Sequence, residues 1–320
     1  MNRYLIPALG RMRLNELRAQ HVSSYCSNAV RQGLSNRTVL HHFRLLHKAL
    51  KDGVKLGFIN VNPCDGVEPP RPIDKERKFI RPDEVRRFLS AVREASWPYY
   101  YLFYTMLFSG LRRSEVLALV WGNLDLDLCV LSVTQTLYKL SGGEYVVSPP
   151  KTRKSRRQVS LPPSLALLLR DYKEQVEAQR LLLGKPLTDA DFVFAHPNGA
   201  PLDPSTVTHV FHKVAHKAGL GGLRLYDLRH SYASIMLGAG VNVKAISQSM
   251  GHANIGITLD TYSHLLPGMG RIAAERFDKL LEPWLPEDVC KMSAREDELD
   301  ARLEGFEPTT LGSEDRCSIR

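Results

Sequence analysis

Arg112, in Ser109-Gly110-Leu111-Arg112-Arg113-Ser114-Glu115, and Arg229, in Tyr226-Asp227-Leu228-Arg229-His230-Ser231, give this chain two side chains suited to holding an anion. A guanidinium keeps its charge at any ordinary pH, and its planar fork can grip two oxygens of one phosphate. Between the two motifs runs Pro149-Pro150-Lys151-Thr152-Arg153-Lys154-Ser155-Arg156-Arg157, basic at five of the seven positions from 151 to 157. Lysine can release a proton where arginine cannot, so Lys151 suits general acid work, while Arg153, Lys154, Arg156 and Arg157 suit contacts along a phosphate backbone. Phosphodiester transfer needs a nucleophile, neutralisation of the nonbridging oxygens and a proton for the leaving oxygen, and without a metal the side chains must supply all three. Each feature taken alone also has a structural reading. Arg112 and Glu115, at i and i+3, would make a surface ion pair worth roughly a few tenths of a kcal/mol. Arg113 points elsewhere on a helix and is read as structural.

A fourth motif, Gly251-His252-Ala253-Asn254-Ile255-Gly256-Ile257-Thr258-Leu259-Asp260-Thr261-Tyr262, is followed by Ser263-His264-Leu265. With these four motifs in this order, the chain resembles the tyrosine recombinase, or phage integrase, family over about residues 80–270, and more loosely over 1–70. The resemblance implies that Tyr262 is a nucleophile forming a 3′-phosphotyrosyl link, and that His252 donates a hydrogen bond to a nonbridging oxygen. It implies further that Arg112, Lys151 and Arg229 complete the catalytic set, and that Glu115 and His230 orient the arginines. Tyr226 departs from the pattern, which commonly has histidine or lysine three residues before the second arginine. Its hydroxyl can donate to a phosphate oxygen but holds its proton far more tightly than imidazole. Tyr232, in contrast, is read as a core or interface residue.

The elements that must carry these residues follow from periodicity. Ser35 caps a predicted helix whose Val39, Phe43, Leu46, Leu50 and Val54 form one stripe, with Arg37, His41, Arg44, Lys48 and Lys51 opposite. That second face is either solvated or laid against a DNA backbone. Pro63, Pro69, Pro70 and Pro72 mark an extended linker. Arg81-Pro82-Asp83-Glu84-Val85 opens a helix, and another runs from about Pro98 to Phe108. Alternation over 130–136, 145–147 and 158–161 predicts one three-stranded antiparallel sheet, with the basic run as a hairpin tip. Helical spacing returns over 163–180, 205–218, 228–238 and 243–250. The predicted fold is therefore mainly α with a small antiparallel sheet. It comprises a helical DNA-binding, core-binding domain over 1–70, short at its N-terminus by comparison with the family, a linker over 71–79, a catalytic domain over 80–285 and an acidic tail over 286–320.

Composition narrows the partners. The net charge is +9, and the last 34 residues carry ten acids against five bases, which leaves residues 1–286 at +14. Such a field favours a polyanion, and duplex DNA is the partner it fits. No apolar run approaches the ~20 residues of a membrane span, and no signal peptide is visible, so the expected place is the cytoplasm. Five scattered cysteines without C-x-x-C spacing predict neither a disulfide framework nor a zinc knuckle. His209, His212 and His216 share a helix face, but no carboxylate or cysteine completes a metal site, so no cofactor is expected.

The function these readings predict is site-specific DNA recombination that integrates or excises a mobile element. A catalytically weakened DNA-binding remnant and a type IB topoisomerase are the alternatives. The resemblance implies four protomers on two DNA sites, with residues 272–285 docking on a neighbour, and room for an accessory directionality factor. Gly305-Phe306-Glu307-Pro308 can be encoded by DNA matching a tRNA T-arm, which makes a tRNA gene the expected target.

Overall fold

A computed structural model describes residues 2–72, 78–150, 152, 155–252, 254–262 and 277, with the backbone alone at 257 and 260–262. The chain divides into two compact units, Met1–Arg77 and Lys78–Arg320.

The first unit holds α1 (Leu5–Leu9), a short 3-10 turn (Leu14–Glu16), α2 (Ala19–Arg31) and α3 (Asn36–Lys55). The Ser35 hydroxyl accepts from the Thr38 amide at 3.2 Å, satisfying one orphan donor at the start of α3. Val39, Phe43 and Leu50 are buried against Val22, Tyr25, Cys26 and Ala29, so the predicted stripe is the face that packs. Leu46 is partly buried there. Arg37, His41, Arg44 and Lys48 are exposed along the opposite side.

In the second unit, α4 (Pro82–Arg93) begins with Pro82 in its first turn and Glu84 accepting from the Arg81 amide at 3.1 Å. Helix α5 (Tyr99–Ser109) is apolar on every side and lies in the core, with Leu102, Phe103 and Met106 fully enclosed. It stops at Gly110, whose φ of +64° belongs to the left-handed region. A Cβ at Gly110 would stand 2.5 Å from the ring of buried Tyr232. Gly110→Ala therefore combines left-handed backbone strain with overpacking, and should lower unfolding free energy by about 2–4 kcal/mol. An unchanged midpoint in urea would contradict this.

Next come α6 (Arg113–Val116), a 3-10 turn (Trp121–Asn123) and five strands: β1 (Leu124–Asp125), β2 (Val130–Val133), β3 (Thr136–Lys139), β4 (Tyr145–Ser148) and β5 (Arg157–Ser160). The strands correct the expectation of a single sheet. β1, β2 and β5 form one antiparallel sheet, and β3 and β4 form a separate antiparallel pair. The predicted strand 130–136 breaks at Thr134 and Gln135, where side-chain bonds take over. Thr134 Oγ1 accepts from Asn123 at 2.8 Å, and Gln135 Nε2 donates to the Ala118 carbonyl at 2.7 Å. β4 and β5, which flank the basic run, belong to different sheets and do not pair with each other, so the hairpin expected from these two strands is corrected.

The remaining helices are α7 (Pro163–Leu182), α8 (Pro204–Lys217), α9 (Asp227–Gly238), α10 (Val243–Met250) and α11 (Ile255–Tyr262). Asp203 caps α8 by accepting from the amides of Ser205 and Thr206. Helix α9 is tied to the start of the unit by Ser231, whose hydroxyl accepts from the Ile80 amide at 2.8 Å and donates to the Asp227 carbonyl.

Candidate active site

Glu115 is the centre of the candidate site. Its side chain is almost wholly buried, yet it accepts from two arginines. Arg112 reaches Oε1 at 2.7 Å, and Arg157 reaches Oε1 at 3.1 Å and Oε2 at 2.9 Å. The Arg112 amide also donates to Oε2 at 2.9 Å, closing a capping box on α6. Burial raises the Glu115 carboxyl, but the Arg157 hydrogen bonds and the charges of Arg157 and Arg112 outweigh it and hold it below the usual carboxylate range. The plain surface-pair reading of Arg112 and Glu115 therefore does not describe this pair, since Glu115 is 3% exposed.

The last carbonyls of α10 hold three arginines, one apiece. Ser249 accepts from Arg157 Nε at 2.5 Å, Met250 from Arg229 Nη2 at 2.5 Å, and Gly251 from Arg112 Nη2 at 3.1 Å. A helix C-terminus leaves these carbonyls without intrahelical partners and carries the negative end of the dipole, so cations belong there. Gly251 makes the approach possible: its φ is +64°, and a Cβ would lie 2.8 Å from Arg157 Nη1.

Arg229, in the first turn of α9, is 1% exposed and also donates through Nη1 to the Gly110 carbonyl at 2.7 Å. Burial, then the neighbouring Arg112 charge, pushes its pKa down to about 10, which leaves it charged at neutral pH. Its Nε is buried with no partner among the described residues. Among the described residues, three guanidinium groups therefore face one carboxylate, which Arg112 and Arg157 touch, an excess of two positive charges.

His252 follows the α10 cap, its amide donating to the Ser247 carbonyl at 3.0 Å, and its Nδ1 lies 2.7 Å from Thr258 Oγ1. Burial and the adjacent charges of Arg229, Arg112, His230 and Arg157 lower its pKa to about 4, so the ring is neutral at pH 7. Tyr226, at the N-cap of α9, is exposed, and its ring meets His230 edge-on at 5.2 Å. Tyr262 is the last residue of α11, a helix that packs on α10.

The structure thus gathers Arg112, Glu115, Arg229, His230 and His252 in one place, with Tyr226 at the edge. Lys151, Arg153 and Lys154 lie outside the described residues, as does the Tyr262 side chain. Arg156 is exposed. Arg113 is structural, donating to the Pro204 carbonyl and Thr208. Tyr232 is a core residue. Arg157, read from sequence as a phosphate contact, is corrected: its side chain is 6% exposed and its donors are turned inward. Its signal was the strand alternation, because Arg157 shares parity with buried Val159 and Leu161. Thr258 and Gly110 were also missed. Among the described residues no cluster of histidine, cysteine and carboxylate could hold a metal ion, and no helix is long and apolar enough to cross a membrane.

The phage integrase family model matches residues 78–268, more than half of the chain and the stretch that contains this whole cluster. The chain belongs to the phage integrase family. As a member it is a tyrosine-type site-specific recombinase of mobile elements. It is 29% identical to the ICEBs1 integrase of Bacillus subtilis over 84% of this chain and 72% of that protein. Its fold matches the Tn1549 transposon integrase, solved in complex with transposon right end DNA, with a TM-score of 0.72. That likeness is at 23% identity and covers 84% of this chain and 88% of the other. The lambda integrase tetramer bound to a Holliday junction shares the fold with a TM-score of 0.54 at 15% identity, over 78% of this integrase and 66% of that chain.

Proposed function

We propose that this recombinase cuts and rejoins duplex DNA through a 3′-phosphotyrosyl intermediate on Tyr262, in a site that works without a metal. The observation that carries this reading is the arginine cluster, in which the buried Arg157 and Arg229 and the half-buried Arg112 outnumber the one carboxylate among the described residues, Glu115, by two, and Arg229 Nε has no partner among those residues. Such a pocket is short of one anion, and a scissile phosphate supplies it. Arg112 and Arg229 neutralise the nonbridging oxygens, held in place before the substrate arrives by Glu115 and the α10 carbonyls. His252 donates one more hydrogen bond. Tyr262 Oη forms a bond to phosphorus as the bond from phosphorus to the 5′ oxygen breaks. The 5′ oxygen leaves as a hydroxyl, with Lys151 as its proton donor and the tyrosine proton balancing the exchange. The reverse attack by a 5′ hydroxyl rejoins the strand.

The exposed Arg37, His41, Arg44 and Lys48 face contacts DNA backbone, as does Arg156 with Arg153 and Lys154. The domain boundaries read from sequence, at 70, 80 and 285, belong to this reading. So does assembly of four protomers on two DNA sites, which the lambda tetramer on its junction supports. A directionality factor and docking of residues 272–285 on a neighbour complete it. The test offers the purified protein two duplexes carrying the DNA that flanks its own gene. Recombinant products are expected. Relaxation of a supercoiled plasmid without recombinants would favour a topoisomerase, and binding without cleavage would favour a remnant.

The neutral state of His252 has a pH consequence. Its folded value, about 4, lies below the unfolded 6.5, so the unfolded chain takes up this proton first as pH falls. His252 thus removes stability as pH drops from 6.5 toward 4 and removes none above that window. Wild-type melting temperature should fall more between pH 7 and pH 5 than that of His252→Gln. Parallel falls would show that this imidazole is not held neutral.

A further inference from the structure

Thr258 is fully buried on α11, one helical turn before Tyr262. Its hydroxyl has a single partner among the described residues, His252 Nδ1 at 2.7 Å. A buried hydroxyl without an acceptor is costly, and a helical threonine ordinarily turns to the carbonyl four residues back. No such bond to Asn254 is present, so among the described residues the proton has one place to go, and Nδ1 accepts it. A neutral imidazole that accepts at Nδ1 carries its own proton at Nε2. Nε2 has no partner among the described residues, and the ring lies beside the charges of Arg229 and Arg112. The proton is therefore free to be donated where the arginines also donate.

We propose that Thr258 is a positioning residue: its hydroxyl donates to His252 Nδ1, fixes the Nε2–H tautomer and fastens α11, and with it Tyr262, to the arginine cluster. This rests on the reading of His252 as a donor to the scissile phosphate. The opposite arrangement, with Nδ1–H donating to Thr258, would leave Nε2 a bare acceptor unable to hold a phosphate oxygen. A second-layer hydrogen bond of this kind selects the tautomer of the group that touches the ligand.

The experiment compares wild type, Thr258→Val and Thr258→Ser in the full chain. Valine keeps the shape without the hydroxyl, and serine restores it. Imidazole nitrogen NMR, with His252 assigned from a His252→Gln spectrum, reports the tautomer. Cleavage of a nicked duplex carrying the gene-flanking DNA reports the chemistry, and gel shift reports binding. A pyridine-like Nδ1 is expected in wild type and Thr258→Ser, and a mixture of tautomers in Thr258→Val. Thr258→Val should cleave about tenfold more slowly at unchanged DNA affinity, with Thr258→Ser close to wild type. A protonated Nδ1 in wild type, or wild-type cleavage by Thr258→Val, would overturn the proposal. If His252→Gln itself cleaves at the wild-type rate, the phosphate-donor reading fails. The NMR arm then decides alone whether Thr258 sets the tautomer.

Discussion

Arg229→Lys is expected to bind its DNA site at close to wild-type affinity and to form covalent adduct roughly 10²–10³-fold more slowly, the loss typical of removing one fixed donor from a developing charge. The reason is geometric. Arg229 spans two carbonyls from different elements, Gly110 at the end of α5 and Met250 at the end of α10, and still has Nε to spare. A lysine ammonium is a point donor that cannot bridge both and face a phosphate as well. In a site this enclosed it would also lose its proton far more readily than a guanidinium. Single-turnover cleavage with saturating protein separates this effect from binding. Cleavage within a few-fold of wild type would mean that the buried fork is structural.

The second large effect is on stability. Among the described residues, Glu115 is the only carboxylate that Arg112 and Arg157 touch. Glu115→Ala would leave their guanidinium groups, with Arg229 nearby, without a counter-charge and would open the α6 capping box. Removing one partner from a buried pair costs about 3–5 kcal/mol. A fall of that size in unfolding free energy is expected from urea titration, with Glu115→Gln intermediate because it keeps shape and some hydrogen bonds. The carboxyl sits below its ordinary range in the fold, so its contribution is present above the unfolded carboxylate pKa. It is lost only as pH falls through the lower folded value. The gap between wild type and Glu115→Ala should accordingly close in acid. A Glu115→Ala protein as stable as wild type at pH 7 would contradict the central place given to this carboxylate.

Much of this arrangement was legible in the sequence, and the parts that were not share a cause. Helices from α7 to α10 lie within one or two residues of their predicted bounds, because their apolar spacing and their Pro, Asp and Asn starts are local signals. The grouping of Arg112, Glu115, Arg229 and His252 was also anticipated, through the order of the motifs. Antiparallel strands were anticipated too, but not their division into two sheets, because the partner of β5 is set by long-range pairing that alternation alone does not encode. Arg157 was hidden inside a basic run whose composition reads as a phosphate contact, although its parity with Val159 and Leu161 already turned it inward. The role of the α10 carbonyls left no mark at all, since backbone acceptors have no residue type. What Gly251 signalled was only a helix end, whereas the close approach of Arg157 to it is a long-range contact.

The measurement closest to the central claim maps the covalent bond. Wild-type protein and Tyr262→Phe would each be incubated with a nicked duplex carrying the gene-flanking DNA, and adducts would be isolated on a denaturing gel, digested and sequenced by mass spectrometry. A nucleotide attached to the peptide that contains Tyr262, with no adduct from Tyr262→Phe, is the expected result. An adduct on another residue, or one that persists in Tyr262→Phe, would contradict the assignment of the nucleophile.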